Sequence, residues 1–246
     1  MKKIFLRLIL PSLILSLLLS SCDGKNLDTQ DTQPPPPSKY ENCPTVIIDA
    51  GHGGEDGGAV GVDGSLEKHL NLTIATKLEE MLLASGVKTR LTRDEDILLY
   101  DRNSDYQGHK KSQDMATRIA ISKEYENAIF ISIHMNSFPQ EKYRGLQVYY
   151  SENSPLSQEL AATVQTLTVK NLQPENTRQI KPSGVNIYLL RKITHPAILI
   201  ECGFLSNSEE CALLGTEEYQ NRLCLVIYTA ILEYFDATRN NSTDTT

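Results

Sequence analysis

The chain has 246 residues and a formal net charge of -7, with 31 acidic side chains against 24 basic ones. That balance excludes the basic stripe a nucleic-acid surface needs, so no nucleic-acid partner is expected, while peptide, glycan and small-molecule substrates stay open. Tryptophan is absent, so any platform for stacking a sugar must use Tyr or Phe.

Met1-Lys2-Lys3 precedes an apolar run from Ile4 to Leu19 that is interrupted by Arg7 and Pro11. A basic start, an apolar middle and small residues at Ser20 and Ser21 predict a secretory signal over residues 1–21. The run is too short and too interrupted for a comfortable spanning helix. Leu19-Ser20-Ser21-Cys22 resembles the lipobox of bacterial lipoproteins, which implies cleavage before Cys22 and a lipid anchor on its thiol. The alternative is an uncleaved signal anchor, and both readings put the domain outside the cytoplasm, tethered to a membrane. Residues 22–44, with Pro34-Pro35-Pro36-Pro37, read as an extended spacer. The other cysteines are Cys43, Cys202, Cys211 and Cys224, and none lies in a C-x-x-C. A four-thiolate metal site is therefore not expected. Free thiols are the reading preferred, with a disulfide left open.

From residue 45 apolar runs alternate with amphipathic stretches. Val46-Ile47-Ile48 predicts a buried strand. Leu66 to Ala84 has helical spacing, with Leu70, Ile74, Leu78 and Met81 or Leu82 on one face, and Gly86 ends it. Val87 to Thr92 predicts a strand, Asp94 to Ser112 a polar surface loop, and Gln113 to Glu124 a helix. Ala128 to Ile133 is a continuous apolar strand and Leu146 to Tyr150 a further one. Pro155 to Leu172 is a long helix, Ala197 to Ile200 a buried strand, and Glu217 to Phe235 a closing helix, after which residues 236–246 read as a disordered tail. Strands that are apolar throughout and alternate with helices predict a single α/β domain over 45–235. Its sheet should be twisted and mostly parallel, with helices on both faces.

Three ionisable residues sit where apolar strands end: His52 after Val46–Gly51, His134 after Ile129–Ile133, and Glu201 after Ala197–Ile200. If those strands are parallel, their carboxyl ends bring all three to one rim, where ligands of open α/β sheets bind. Glu67 opens a helix that starts at the same rim. Two histidines and a carboxylate form the ligand set of a catalytic zinc, and a further carboxylate can move a proton. His52, Glu67 and His134 are assigned as ligands and Glu201 as the base. Gly51, Gly53 and Gly54 would let the backbone turn sharply beside His52. A dinucleotide fingerprint fails because Asp56 stands where G-x-G-x-x-G needs glycine, and no G-x-S-x-G or H-E-x-x-H occurs. Cys202 would point away from Glu201 on a strand. His69 cannot easily share a metal with Glu67 at two-residue helical spacing, whereas His109 and His195, in predicted loops, stay open as ligands.

At these residues the chain resembles the zinc-dependent N-acetylmuramoyl-L-alanine amidases of the type 3 class. The matching stretches are Ile48–Gly54 with Gly57–Gly61, Leu66-Glu67-Lys68 with Leu70-Asn71-Leu72, Thr92-Arg93, Ser132–Ser137, and Ile200–Asn207. They follow the family's order across nearly all of 45–235. The resemblance implies zinc on His52, Glu67 and His134, a catalytic Glu201, and cleavage of the amide between N-acetylmuramic acid and L-alanine in peptidoglycan. Asn136 is a candidate substrate-binding residue, or it ties down its own loop. Some members insert an inhibitory helix after the second histidine's strand, but Asn136 to Gly145 is too short for one. Asp94 through Arg118 and Gly184–Leu190 look like the germination-specific spore-cortex amidases. The lipobox is unexpected in that company and points instead to ordinary wall turnover. A zinc carboxypeptidase on stem peptides would use the same site, and a non-catalytic wall-binding lipoprotein is the non-enzymatic alternative. Neither a protein activator nor an oligomeric state is legible.

Overall fold

The computed structural model describes residues 38–103 and 108–243, with backbone only for 241–243. The expected signal, the lipobox Cys22 and the proline run lie outside the described residues. The elements in order are β1 (Thr45–Ala50), α1 (Glu67–Ala84), β2 (Thr89–Leu91), α2 (Lys110–Lys123), β3 (Ala128–Asn136) and β4 (Gln147–Tyr150). They continue with α3 (Pro155–Asn171), β5 (Lys181–Pro182), α4 (Tyr188–Lys192), β6 (Ala197–Phe204), α5 (Ser208–Leu214) and α6 (Glu217–Thr243).

The strands form one six-stranded sheet in the order β2-β1-β3-β6-β4-β5. The first four run parallel, and β4 lies antiparallel to β6. This is the mostly parallel α/β sheet the alternation predicts. Its central strands read as unbroken apolar runs because both faces are covered. On one face Val46, Ile48, Ile131 and Ile200 pack with the apolar stripes of α1, α3 and α6. On the other, Ile47, Phe130 and Leu199 pack with Ile121 of α2 and Leu189 and Leu190 of α4.

Gly86 ends α1 as its sequence position suggests. With φ of 76° it lets Val87 N donate back to Leu82 O at 3.1 Å while Gly86 N donates to Leu83 O at 2.9 Å. The closing helix does not stop at Phe235 but runs to Thr243, so most of the expected disordered tail is helical. Its last turns are held by the end of the expected spacer. Tyr40 is buried with its ring 6.4 Å from that of Phe235, Lys39 pairs with Asp236 at 3.0 Å, and Arg239 Nη1 donates to Lys39 O at 2.8 Å. These contacts join residues almost 200 positions apart, and no periodicity within either segment announces them. Residues 38–43 are accordingly docked turns rather than free spacer. No helix among the described residues is long and apolar enough to cross a membrane.

Candidate active site

Parallel pairing of β1, β3 and β6 sets their carboxyl ends side by side, and in register His134 lies directly opposite Glu201. His52 follows β1 in the left-handed region, φ 61°, with Gly53 and Gly54 also at positive φ (138° and 55°). The chain thus turns sharply past the strand end and aims the imidazole back over the rim. Glu67 is the first residue of α1.

These elements bring His52, Glu67 and His134 together, with one donor atom of each lying within 4.8 Å of the others. His52 Nε2 is 3.3 Å from Glu67 Oε2, and His134 Nδ1 is 3.0 Å from Glu67 Oε1. The carboxylate also accepts from Ala59 N at 2.8 Å, Met135 N at 3.0 Å and Asn71 Nδ2 at 3.3 Å. Burial pushes the Glu67 carboxyl up, but the hydrogen bonds and charges of His134 and His52 outweigh it and hold Glu67 far below the usual range. Burial disfavours a charged His52, yet Glu67 and Asp56 raise its pKa on balance. Asp56 Oδ2 stands 3.0 Å from His52 Nδ1, which fixes the ring with Nε2 toward Glu67. Two imidazoles and one carboxylate converging on a point, with a carboxylate behind one ring, are a donor set that fits a zinc ion.

Glu201 is built differently. Its Oε2 is buried without a hydrogen-bond partner among the described residues. Burial pushes its carboxyl up to about 7; the His134 and His52 charges oppose the rise and Glu67 adds to it. It opens on a cavity of about 530 Å³ shared with His52, His134, Met115 and the wall Asn186–Leu189. A carboxyl that titrates near neutrality beside a metal-type cluster suits proton transfer.

A buried polar frame holds the histidine loop, and the sequence reading did not identify it. Arg118 Nε and Nη2 donate to Asp114 at 2.9 and 3.1 Å, and Nη1 pairs with Asp49. Nη1 also reaches Ala50 O at 2.8 Å and Nη2 reaches His52 O at 2.7 Å, so all five N–H groups are used. Arg93 Nε donates to Ala50 O and its Nη2 to Gly51 O, both at 2.9 Å, while Asn71 Nδ2 donates to Gly51 O at 3.1 Å. The carbonyls of three successive residues around His52 are therefore all held by side chains from other elements. Burial raises Asp49, but Arg118 and the Ser132 and Thr92 hydroxyls bring it below its ordinary value. The only hint in the sequence was that Arg93, Asn71 and Arg118 lie in stretches that match the amidase pattern. Polar residues on predicted helices otherwise read as surface.

Gly51 serves by its lack of a side chain. A Cβ there would strike the His134 ring.

The other candidates fall outside the cluster. His69 is mostly exposed and meets Asp96 at 3.3 Å, His109 is the exposed residue preceding α2, and His195 Nε2 lies 3.0 Å from Ser122 O. Cys202 is buried in the core on the other face of β6 from Glu201, and burial raises its thiol well above the ordinary value. Cys43, Cys202, Cys211 and Cys224 are all free thiols. Asn136 ends β3, half-buried, where its carbonyl accepts from Leu205 N at 2.8 Å. The connection from β3 to β4 carries turns and no helix, as its length predicts.

The family model described as N-acetylmuramoyl-L-alanine amidase matches residues 46–233. The germination-specific N-acetylmuramoyl-L-alanine amidase of Bacillus subtilis is 36% identical over 190 residues, covering 77% of this chain and 79% of that protein. AmiA of Escherichia coli, an N-acetylmuramoyl-L-alanine amidase, is 30% identical over 234 residues, covering 77% and 75%. Among solved structures, the CwlD amidase from Clostridioides difficile, determined in complex with the GerS lipoprotein, superposes with a TM-score of 0.74 at 39% identity, covering 79% of this chain and 99% of that one. A match across the whole described sheet, with the histidines and glutamates inside it, means that this chain belongs to the type 3 N-acetylmuramoyl-L-alanine amidases and resembles their germination-specific members.

Proposed function

We propose that this amidase is zinc-dependent, with His52, Glu67 and His134 holding the metal and Glu201 moving the proton as the amide between N-acetylmuramic acid and L-alanine is hydrolysed. The observation that carries the reading is the convergence of the three donors within 4.8 Å, beside a buried carboxylate oxygen that has no other partner. Bound there, zinc would supply a Lewis acid that polarises the scissile carbonyl and acidifies water.

The chain's own groups do the rest. Asp56, its carboxylate 3.0 Å from His52 Nδ1, favours the proton on that nitrogen and leaves Nε2 to ligate. Glu67, ionised throughout the working pH range, brings the negative charge. Glu201 takes a proton from the attacking water as its oxygen bonds to the carbonyl carbon. It then delivers that proton to the alanine nitrogen as the C–N bond breaks, leaving a lactyl carboxyl group, which keeps the other water proton, and a free amine. The cavity wall at Asn186–Leu189 and the rim residue Asn136 would receive the substrate.

Metal analysis tests the first half. About one zinc per chain is expected in the parent, with none retained in His52→Ala or His134→Ala. A metal-free but fully active protein would remove the reading. Gly51→Ala is expected to displace the His134 ring and weaken zinc retention roughly tenfold or more, measured by chelator competition. Product analysis on purified sacculi separates the alternatives. Release of intact stem peptides supports the amidase, trimmed stems would favour a carboxypeptidase, and no release would favour a wall-binding lipoprotein.

The wall substrate and the signal-like start together support an extracytoplasmic protein. The lipobox at Cys22 supports attachment to the membrane through a lipid. The Clostridioides difficile relative was solved with a separate lipoprotein; here the anchor would sit on the amidase chain itself. The resemblance to germination-specific members supports a role in the spore cortex, and the lipobox supports ordinary wall turnover. Stem release from cortex compared with vegetative wall decides between them.

A further inference from the structure

Beyond Glu201 along the sheet lies β4. Gln147 lies directly opposite Glu201 in the β4–β6 pairing, one strand spacing or ~5 Å away. The Gln147 side chain accepts from Arg178 Nη1 at 3.0 Å. Arg178 Nε donates to Arg144 O at 2.7 Å, and the guanidinium lies 4.5 Å over the Phe204 ring. One edge of a half-buried guanidinium is thus clamped in place. Its Nη2 has no hydrogen-bond or ion-pair partner among the described residues.

The acids around it are otherwise engaged. Glu210, close enough to feel the Arg178 charge, gives one oxygen to Gly145 N at 2.8 Å and the other to Phe204 N at 2.9 Å. Glu209 pairs with Arg144 at 3.1 Å. Arg178 lines a cavity of about 480 Å³ whose wall also carries Lys142 and Arg144, with the exposed Glu175 on its rim. Tyr149 lies on the same face of β4 as Gln147. Burial raises its hydroxyl, Glu201 raises it further and Arg178 opposes both, so both charges lie within electrostatic reach of one ring.

A fixed arginine with an open fork is built to receive a carboxylate. We propose that Arg178 binds a carboxylate of the stem peptide on the leaving side of the scissile amide, and so selects stems whose second residue keeps its carboxyl free. This rests on the amidase reading above. The second stem residue is a γ-linked glutamate, so its α-carboxyl projects from the peptide chain as either the acid or the carboxamide. Glu201 marks the scissile nitrogen, and Arg178 stands one strand and one hydrogen-bonded side chain further along the leaving group's path. A carboxamide would present an N–H to the guanidinium and lose half of a bidentate pair.

The test uses the zinc-loaded full chain on two matched sets of sacculi, one with free and one with amidated stem glutamate. The parent is expected to favour the free acid by roughly tenfold in kcat/KM, mostly through KM. Arg178→Gln, which keeps an amide donor near Gln147 but no charge, is expected to erase that preference, the free-acid wall losing more of its rate than the amidated one. Arg178→Lys should retain part of the preference. Zinc content and thermal midpoint of each variant report whether the fold survives. An indifferent parent overturns the proposal, and so does an Arg178→Gln variant that slows both walls equally, which would mark a purely structural arginine. A parent that releases stems from neither wall overturns the amidase reading itself.

Discussion

Glu201→Gln is expected to lower kcat on peptidoglycan by about a hundredfold to ten-thousandfold, the range for loss of a positioned acid–base group, while the protein keeps its zinc. The glutamine has the same shape and keeps the antiparallel pairing with Gln147, but it cannot take a proton from water. A metal ligand would behave differently, because its loss would empty the site. A second readout is independent of turnover. In chelated protein the Glu201 carboxyl titrates at about 7 rather than its ordinary 4.5, so the folded state binds the proton more tightly than the unfolded one. Its contribution therefore turns increasingly unfavourable as pH rises from about 4.5 to about 7 and is fully unfavourable above that. Glu201→Gln should thus stabilise the chelated protein at pH 8 by up to about 3 kcal/mol, with the gain fading as the pH falls from about 7 to about 4.5. Unfolding curves at the two pH values check the sign. Near-parental hydrolysis by Glu201→Gln would sink the assignment of the base.

Removing the Arg118 side chain should unfold the site while leaving the His52, Glu67 and His134 side chains intact. Arg118 is 1% exposed and pairs with Asp49 and Asp114, themselves 1% and 2% exposed. Truncation leaves two buried carboxylates without the guanidinium that pairs with both, an effect of about 3–5 kcal/mol. It also frees the His52 carbonyl and leaves that of Ala50 to Arg93 alone, so the left-handed turn at His52 loses its tether. Arg118→Ala is expected to lower the unfolding free energy by that amount and to bind zinc poorly even where it remains folded. Arg118→Lys should recover little, since an ammonium cannot span four acceptors in a plane. If Arg118→Ala held both zinc and stability, the frame would be a bystander rather than a support.

Much of this protein can be read from the sequence because its physics is local. The apolar runs at Val46–Ile48, Ala128–Ile133 and Ala197–Ile200 read as buried strands, and each appears as one. The helical spacing of Leu70, Ile74, Leu78 and Leu82 and the stop at Gly86 are likewise decided within one turn of the chain. The three strand-end residues follow, since parallel strands must deliver their carboxyl ends to a common rim. The short elements β5, α4 and α5 did not announce themselves. Five residues of Tyr188–Lys192 are too few for a periodic signal, and the helix stands because Leu189 and Leu190 bury against Phe130 and Leu199.

What only the tertiary structure decided concerns polar groups and distant pairs. Arg118 and Asn71 look like ordinary polar helix residues, and their burial follows from neighbours 69 and 20 positions away. The helical end of α6 depends on Lys39 and Tyr40, which only the folded chain brings beside it. The open fork of Arg178 exists because Gln147 and Phe204 arrive from two other strands. Hydrophobic periodicity is written along the chain, but compensation of a buried charge is written between segments. The sequence alone could therefore name the residues that converge at the sheet's rim, and the fold was needed to show what holds them in place.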